Sequence, residues 1–252
     1  MFVEAQYRVL RRFFPGSTRP NDETTYDSKS KLATLLGEQF FDAIRDKVVL
    51  DFGCGEGAEA VEMASKGARQ VFGLDIRNDV LNTAREKAAT AGVDGRCLFG
   101  TSFGDLLADA IVSLDAFEHF DDPGAVLRQM DSLLKPDGEV FVSFGRPWYH
   151  PLGGHGFSVF PWSHLIFSET AQLRWRSDFK SDGATRFHEV AGGLNQMTIR
   201  RFEDLVAASA FRFASLEPVP IRKLRRFHNR MTREFTTAVV RCRLIKKRPA
   251  ER

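Results

Sequence analysis

At 252 residues, with 43% hydrophobic and 27% charged residues, the chain is long enough for one large α/β domain with insertions or for two small domains. Its net charge of +3 is mild, and its three scattered cysteines, Cys54, Cys97 and Cys242, have no CxxC spacing, which argues against a disulfide framework or a thiolate zinc site. Residues 1–15 have no apolar run of the signal-peptide kind and no apolar stretch approaches the ~18 residues needed to span a bilayer, so a reducing cytoplasm is the expected location.

In chain order, the spacing of Phe2, Val3, Tyr7, Leu10 and Phe14 predicts a short amphipathic helix stopped at Pro15-Gly16. A polar loop follows through Asn21-Asp22-Glu23. Leu32, Leu35, Leu36, Phe40 and Ile44 recur near period 3.6 and predict a helix over Lys31–Ile44. An apolar strand, Lys47–Phe52, then runs into the glycine-rich turn Gly53-Cys54-Gly55-Glu56-Gly57, which opens a helix over Ala58–Lys66. Such a turn brings backbone N–H groups and a helix start up to a ligand, and glycine permits the positive φ this requires.

Strand and helix alternate from there. Gln70–Asp75 reads as a strand ending on an acid, Asn78–Ala91 as a charged helix stopped by Gly92, and Arg96–Phe99 as a weak third strand. Ala110–Leu114 is a fourth strand running into Asp115-Ala116-Phe117-Glu118-His119, followed by a helix over Pro123–Leu134. Lys135-Pro136-Asp137-Gly138 has the chemistry of a turn, and Glu139–Phe144 is the fifth strand. Prolines, glycines and aromatic residues then break the pattern over 146–197, with one helix expected at Ser163–Arg176. A long irregular insertion of this kind reads as a substrate lid. Thr198 caps a helix to Ala210, and Arg212–Val219 and Phe235–Leu244 are two closing strands, paired antiparallel.

Repeated strand–helix alternation predicts a mostly parallel sheet of seven strands, the last antiparallel, covered by helices on both faces. Ligands of such sheets bind at the carboxyl ends of the strands. The glycine turn, Asp75, Thr101–Ser102 and Asp115–His119 all fall at those ends and converge on one crevice.

Two ligands suit a glycine turn after the first strand. Gly53-x-Gly55-x-x-Ala58 satisfies the loose dinucleotide form, and Asp75 falls where a ribose-binding acid belongs, so NAD is one reading. S-adenosylmethionine is the other. Four pieces in order, Leu50-Asp-Phe-Gly-Cys-Gly-Glu-Gly57, Val71-Phe-Gly-Leu-Asp75, Ser113-Leu-Asp-Ala-Phe-Glu-His119 and Leu134-Lys-Pro-Asp-Gly138, resemble the class I S-adenosylmethionine-dependent methyltransferases. Within them the chain is similar to the group of ubiquinone and menaquinone biosynthesis methyltransferases. The resemblance implies a three-layer Rossmann-like fold forming a single domain. Its parts are N-terminal helices over 1–46, a cofactor core over 47–145, a lid over 146–197 and a final helix and strands over 198–252. It also implies cofactor contacts at Asp51, Gly53, Cys54, Gly55, Gly57, Asp75, Ile76, Thr101, Ser102 and Asp115. Asp51 suits the positively charged methionine end, Asp75 the ribose hydroxyls and Ile76 the adenine. Thr101 and Ser102 stand where relatives often carry an adenine-binding acid.

For the acceptor, His119 is the candidate general base at the rim of the crevice. Trp148, His150, His155 and Trp162 are the candidate substrate contacts, suggesting an apolar or aromatic small molecule. The histidines show no metal-ligand spacing, and no metal is expected. The segment after the fourth strand lacks the Asn/Asp-Pro-Pro-Tyr signature of nucleobase methylation, which disfavours nucleic acid. Basic residues from Arg222 to Arg248 leave peripheral membrane contact open. An NAD-dependent oxidoreductase and a cofactor-binding protein without turnover are the alternatives. The acceptor atom and the oligomeric state are not specified by the sequence.

Overall fold

The computed structural model describes residues 2–14, 16, 30–190 and 192–248; Pro15 and the polar loop at Asn21-Asp22-Glu23 lie outside the described residues. The strands are β1 (Val48–Phe52), β2 (Gln70–Leu74), β3 (Cys97–Gly100), β4 (Ala108–Leu114), β5 (Leu134–Gly145), β6 (Phe211–Pro220) and β7 (Thr237–Lys246). They form one sheet in the order β3-β2-β1-β4-β5-β7-β6, in which β7 runs antiparallel to the other six.

The helices are α1 (Phe2–Phe13), α2 (Lys31–Leu36), α3 (Gln39–Ala43), α4 (Ala58–Ser65), α5 (Asn78–Thr90), α6 (Pro123–Leu133), α7 (Ser163–Ile166), α8 (Glu169–Arg176), α9 (Ile199–Ala207) and α10 (Arg233–Thr236). Side chains alternate across a strand, so Val49 and Ala110 face one core while Leu50 and Ile111 face the other. The first core is closed by Leu32 and Leu35 of α2, Phe40 of α3, Met63 of α4 and Leu81 of α5. The second is closed by Leu127 and Met130 of α6 and Phe202 and Val206 of α9. Three layers result, as expected for a sheet buried on both faces.

A third core lies outside the sheet. Tyr7 and Leu10 of α1 pack with Phe157, Leu173, Trp175, Phe187 and Leu194 of the insertion. Polar contacts pin the same contact: Gln6 Oε1 accepts from the Ser168 N–H at 2.9 Å, and the Arg174 guanidinium lies 4.1 Å over the Tyr7 ring. The N-terminal helix therefore belongs with the insertion, not with α2 and α3.

Three local expectations change. The helix expected over Lys31–Ile44 is broken into α2 and α3 at Gly37, which sits at φ 82°. The helix expected over Ser163–Arg176 restarts at Ser168, whose side chain caps α8 through the Ala171 N–H. Lys135–Gly138 does not separate α6 from a later strand; it is a bulge inside β5, between the Ala108–Leu134 and Ala110–Glu139 pairs. Asp109 lies opposite that bulge, accepting from Lys135 Nζ at 2.5 Å and from the Val48 N–H at 2.8 Å, so it ties β1, β4 and β5 together. The cap at Thr198 is as expected, its hydroxyl accepting from the Arg201 N–H at 3.0 Å.

Candidate active site

The turn after β1 holds Gly53, Gly55 and Gly57 at φ 81°, 50° and 76°. At Gly57 the need is also steric: a Cβ there would lie 2.7 Å from that of Ala84 and 2.9 Å from the Phe99 ring, because α4 starts hard against α5 and β3. The turn's N–H groups are drawn inward. Those of Gly53 and Cys54 donate to the Leu74 carbonyl at 2.8 and 3.0 Å, and that of Gly57 donates to the Cys54 carbonyl at 2.9 Å. The Gly55 N–H donates to Asp75 Oδ2 at 3.0 Å, while Asp75 Oδ1 accepts from the Arg77 N–H at 3.0 Å. The acid ending β2 thus fixes the turn that follows β1. The Cys54 thiol is buried beside it and its pKa is pushed up by that burial, which makes it a packing group and not a nucleophile.

Beneath the turn lies a cluster of acids. Asp51 is buried, and its Oδ2 has no hydrogen-bond partner. Burial, and then the neighbouring Glu59, push its pKa well above the usual carboxylate range. Lys31, the first residue of α2, reaches in from outside the strand–turn units. Its Nζ lies 3.2 Å from Asp115 Oδ2 and 3.6 Å from Glu59 Oε1, and donates to the Leu114 carbonyl at 3.3 Å. Asp115 itself stands at φ 52°, held by its N–H on the Ser143 carbonyl at 2.9 Å and by the Ser143 hydroxyl on its Oδ1 at 3.2 Å. Three carboxyl groups, of Asp51, Glu59 and Asp115, gather around the one ammonium of Lys31, so this end of the crevice is rich in acids.

Asp115 is also the boundary with a cavity of about 550 Å³. One side of this cavity is polar: Glu118, His119, Arg146, His150 and His155. The other is largely apolar, from Leu35 of α2, Leu152, Val219 of β6 and Val239 of β7. His119 Nδ1 lies 2.9 Å from the Gly193 carbonyl. A carbonyl only accepts, so Nδ1 carries the hydrogen and Nε2 is left as the basic nitrogen. The His155 ring stands edge-on to His119 at 5.5 Å between centroids. Burial holds the pKa of His155 down to about 3 and that of His150 to about 4, so both are neutral at physiological pH. His150 Nδ1 accepts from the Leu152 N–H at 2.9 Å.

Glu118 is buried, with Oε1 accepting from the Gly145 N–H at 2.9 Å and Oε2 without a partner. Burial, with Asp115 nearby, pushes its pKa up to about 8. A carboxyl whose folded pKa is raised binds more protons folded than unfolded, so its contribution to stability is full below the unfolded pKa of 4.5 and is lost as pH rises toward 8. Glu118→Gln, a permanent mimic of the protonated form, should therefore match the parent near pH 5 and exceed it near pH 8 by on the order of a few kcal/mol. Urea denaturation at both pH values reads this, and equal stability of the pair at pH 8 would exclude the protonated carboxyl.

The insertion fastens this segment down. Asn195 Nδ2 donates to the Phe117 and Phe120 carbonyls, each at 2.7 Å, and its N–H donates to the Glu118 carbonyl at 2.9 Å. Gly193, at φ 66°, lies so close that a Cβ would come within 2.6 Å of the His119 carbonyl oxygen. Gly193→Ala is accordingly expected to cost about 1–3 kcal/mol in urea unfolding, from strain and from the displaced contact. An unchanged midpoint would show that the insertion is free to shift.

The cavity brings together Asp115, His119, His150 and His155 of the expected residues, while Asp51, Asp75 and the glycines form the adjoining crevice. Ile76 is 86% exposed at the end of β2, and Thr101 and Ser102 are exposed at the end of β3. The two tryptophans do not line the cavity. Trp148 packs against the insertion's own core, 4.8 Å from the His164 ring and 5.6 Å from Phe187. Trp162 turns away to donate its Nε1–H to the Tyr149 carbonyl at 2.9 Å. Lys31, Arg146, Gly193 and Asn195 were not legible as site residues, because long-range packing brings them there. Glu118 lies inside the Ser113–His119 piece, and its place one residue before His119 is the signal the sequence carries. Among the described residues, no group of three or more His, Cys, Asp or Glu is arranged to hold a metal ion.

Comparison with known proteins agrees with this fold. Over 106 residues the chain is 38% identical to a ubiquinone biosynthesis O-methyltransferase of Neisseria meningitidis serogroup C, covering 40% of this chain and 44% of that protein. The chain thus spans less than half the length of that curated relative. The PH0226 protein of Pyrococcus horikoshii shares the fold, with a TM-score of 0.55 at 19% identity, over 95% of this chain and 99% of that one. So does an S-adenosylmethionine dependent methyltransferase of Mesorhizobium loti, with a TM-score of 0.54 at 18% identity, over 81% and 95%. A family model described as a methyltransferase domain matches residues 25–216, from before α2 into β6, and the chain belongs to that family as a class I S-adenosylmethionine-dependent methyltransferase.

Proposed function

We propose that the chain binds S-adenosylmethionine in the crevice over β1, β2 and β4 and directs methyl transfer to the oxygen of a small molecule in the adjoining cavity. The observation that carries this reading is the buried, unpartnered Oδ2 of Asp51 within an acid-rich cluster. A buried carboxyl oxygen without a partner is costly, and a cationic ligand relieves it. The methionine end of the cofactor offers an ammonium and a sulfonium, whereas the pyrophosphate of a dinucleotide would meet repulsion at the same place. The family match likewise sets the dinucleotide alternative aside.

When bound, S-adenosylmethionine supplies an electrophilic methyl group on its sulfonium. The chain's own residues do the rest. Asp51 would face the cation, and Asp75, already anchoring the turn, would accept from the ribose hydroxyls. The cavity would hold the acceptor in line with the methyl carbon, a positioning effect that can supply much of the acceleration. His119 Nε2, its tautomer set by the Gly193 carbonyl, would take the proton of the acceptor hydroxyl. Oxygen as the acceptor atom draws support from the Neisseria relative, whose name is that of an O-methyltransferase.

The reading is tested by calorimetric titration with S-adenosylhomocysteine and with NADH, followed by incubation of labelled cofactor with cell extract. Saturable binding of S-adenosylhomocysteine alone, and label recovered in a small molecule, are expected. Binding of NADH alone would overturn the reading. Label found only in macromolecules would refute the acceptor assignment.

A further inference from the structure

The basic residues near the C-terminus fall into two groups that the sequence does not separate. Those on β7 are used internally: Arg241 pairs with Glu217 at 2.7 Å, Arg243 with Glu139 at 3.4 Å and Lys246 with Asp131 at 3.0 Å. Lys247 Nζ donates to the Ala207 and Ser209 carbonyls. On the connection between β6 and β7, Arg233 pairs with Glu203 at 2.5 Å, but the basic residues before it are not so used. Arg222, Lys223, Arg225, Arg226 and Arg230 are all exposed, and none forms an ion pair among the described residues. The acids flanking them are occupied, Glu217 by Arg241 and Glu234 by the Ile199 and Arg200 N–H groups at the start of α9.

The same connection exposes large apolar side chains where burial would be the rule. Phe227 is 66% and Met231 91% exposed. They flank one ordered turn, in which Asn229 Oδ1 accepts from the Met231 and Thr232 N–H groups at 2.8 and 3.2 Å, and the Thr232 hydroxyl donates to the Phe227 carbonyl. Their exposure is thus built into the turn. Phe235, further along, stacks on Tyr149 of the insertion at 5.2 Å and is also exposed. The strands on either side supply Val219 and Ala238 to the wall of the cavity, so the connection borders its rim.

We propose that the β6–β7 connection docks on an anionic lipid surface, its five unpaired cations meeting lipid phosphates while Phe227 and Met231 enter the interface. Cations near an anionic leaflet contribute additively, and apolar side chains that enter the interface add the burial of their surface. A nucleic acid would satisfy the cations but leave Met231 uncovered, which is why lipid is favoured over RNA. Among the described residues no helix is long and apolar enough to cross a membrane, so the contact proposed is peripheral.

Co-sedimentation with sucrose-loaded vesicles tests this on the full chain. Binding is expected to vesicles of equimolar phosphatidylcholine and phosphatidylglycerol, to weaken as salt rises, and to be absent with phosphatidylcholine alone. Arg225→Glu with Arg226→Glu should weaken it about tenfold or more. Phe227→Ser with Met231→Ser should weaken it about fivefold or more while leaving the salt dependence. All four positions except Met231 lie in one short 3₁₀ segment at the surface, and an unchanged melting temperature checks that the variants fold. Equal binding to both vesicle types, no binding to either, or variants that bind like the parent would each overturn the proposal. Binding of polyuridylate without binding of vesicles would replace it with a nucleic-acid surface. No turnover is involved, so the result stands apart from the methyl-transfer reading.

Discussion

Replacing His119 by alanine is expected to lower kcat for methylation of a hydroxyl acceptor by about 10²–10⁴-fold while leaving affinity for S-adenosylhomocysteine unchanged. The separation follows from position. His119 lines the cavity and is tied by Nδ1 to Gly193 of the insertion, whereas Asp51, the glycine turn and Asp75 form the adjoining crevice proposed for the cofactor. Rate and affinity are measured independently, by turnover of an identified acceptor and by calorimetry. A purely structural role would also move the rate, so pH supplies the discriminating readout. As pH rises until the acceptor hydroxyl ionises unaided, the gap between variant and parent should narrow if His119 takes the proton. A gap that stays constant with pH, or a kcat equal to the parent's, would exclude it as the base.

Asp75→Ala should weaken cofactor affinity at least tenfold, about 1.4 kcal/mol or more. Charge-assisted hydrogen bonds are worth about 1.5–3 kcal/mol each, and the carboxylate also holds the Gly55 N–H at 3.0 Å, so both a ligand contact and the shape of the turn are lost. Asp75→Asn divides the two, since it keeps an acceptor for Gly55 but removes the charge, and it should fall between alanine and the parent. Melting temperatures measured without ligand separate loss of binding from loss of fold. Normal affinity in a well-folded Asp75→Ala protein would remove the central assignment of the crevice.

Much of the core fold was legible because its signals are local. Val48–Phe52 is apolar except for Asp51, as suits a strand buried on both faces, and it lies inside the sheet between β2 and β4. Thr198 announced its helix by a cap that needs only residues three apart. The elements that differ from local pattern do so where a second signal competes with periodicity. Gly37 interrupts the pattern from Leu32 to Ile44, and Ser168 begins a new helix inside Ser163–Arg176. At Lys135–Gly138 turn chemistry was real, but a bulge in a continuing strand uses the same residues. The aromatic run of the insertion is split by packing: Trp148 joins an interior shared with α1, while His150 and His155 line the cavity.

The sequence by itself determined the strand–turn–helix units and the acids at their ends, because each such unit is specified within about 30 residues by period, glycine and charge. Asp51, Asp75 and the glycine turn are therefore brought together by local pattern. Only the tertiary structure decided what stands around them. Lys31 enters the acid cluster from α2, Gly193 and Asn195 hold the His119 turn from the insertion, and the cavity is closed by β6 and β7. These contacts join residues far apart in the chain, and nothing in the local pattern at either partner encodes the other. The same holds for the basic residues after Pro220. Their charge is written in the sequence, but which are neutralised by Glu217, Glu139 and Asp131 and which remain at the surface is fixed by the pairing of β7 with β5 and β6 and by the placing of α6.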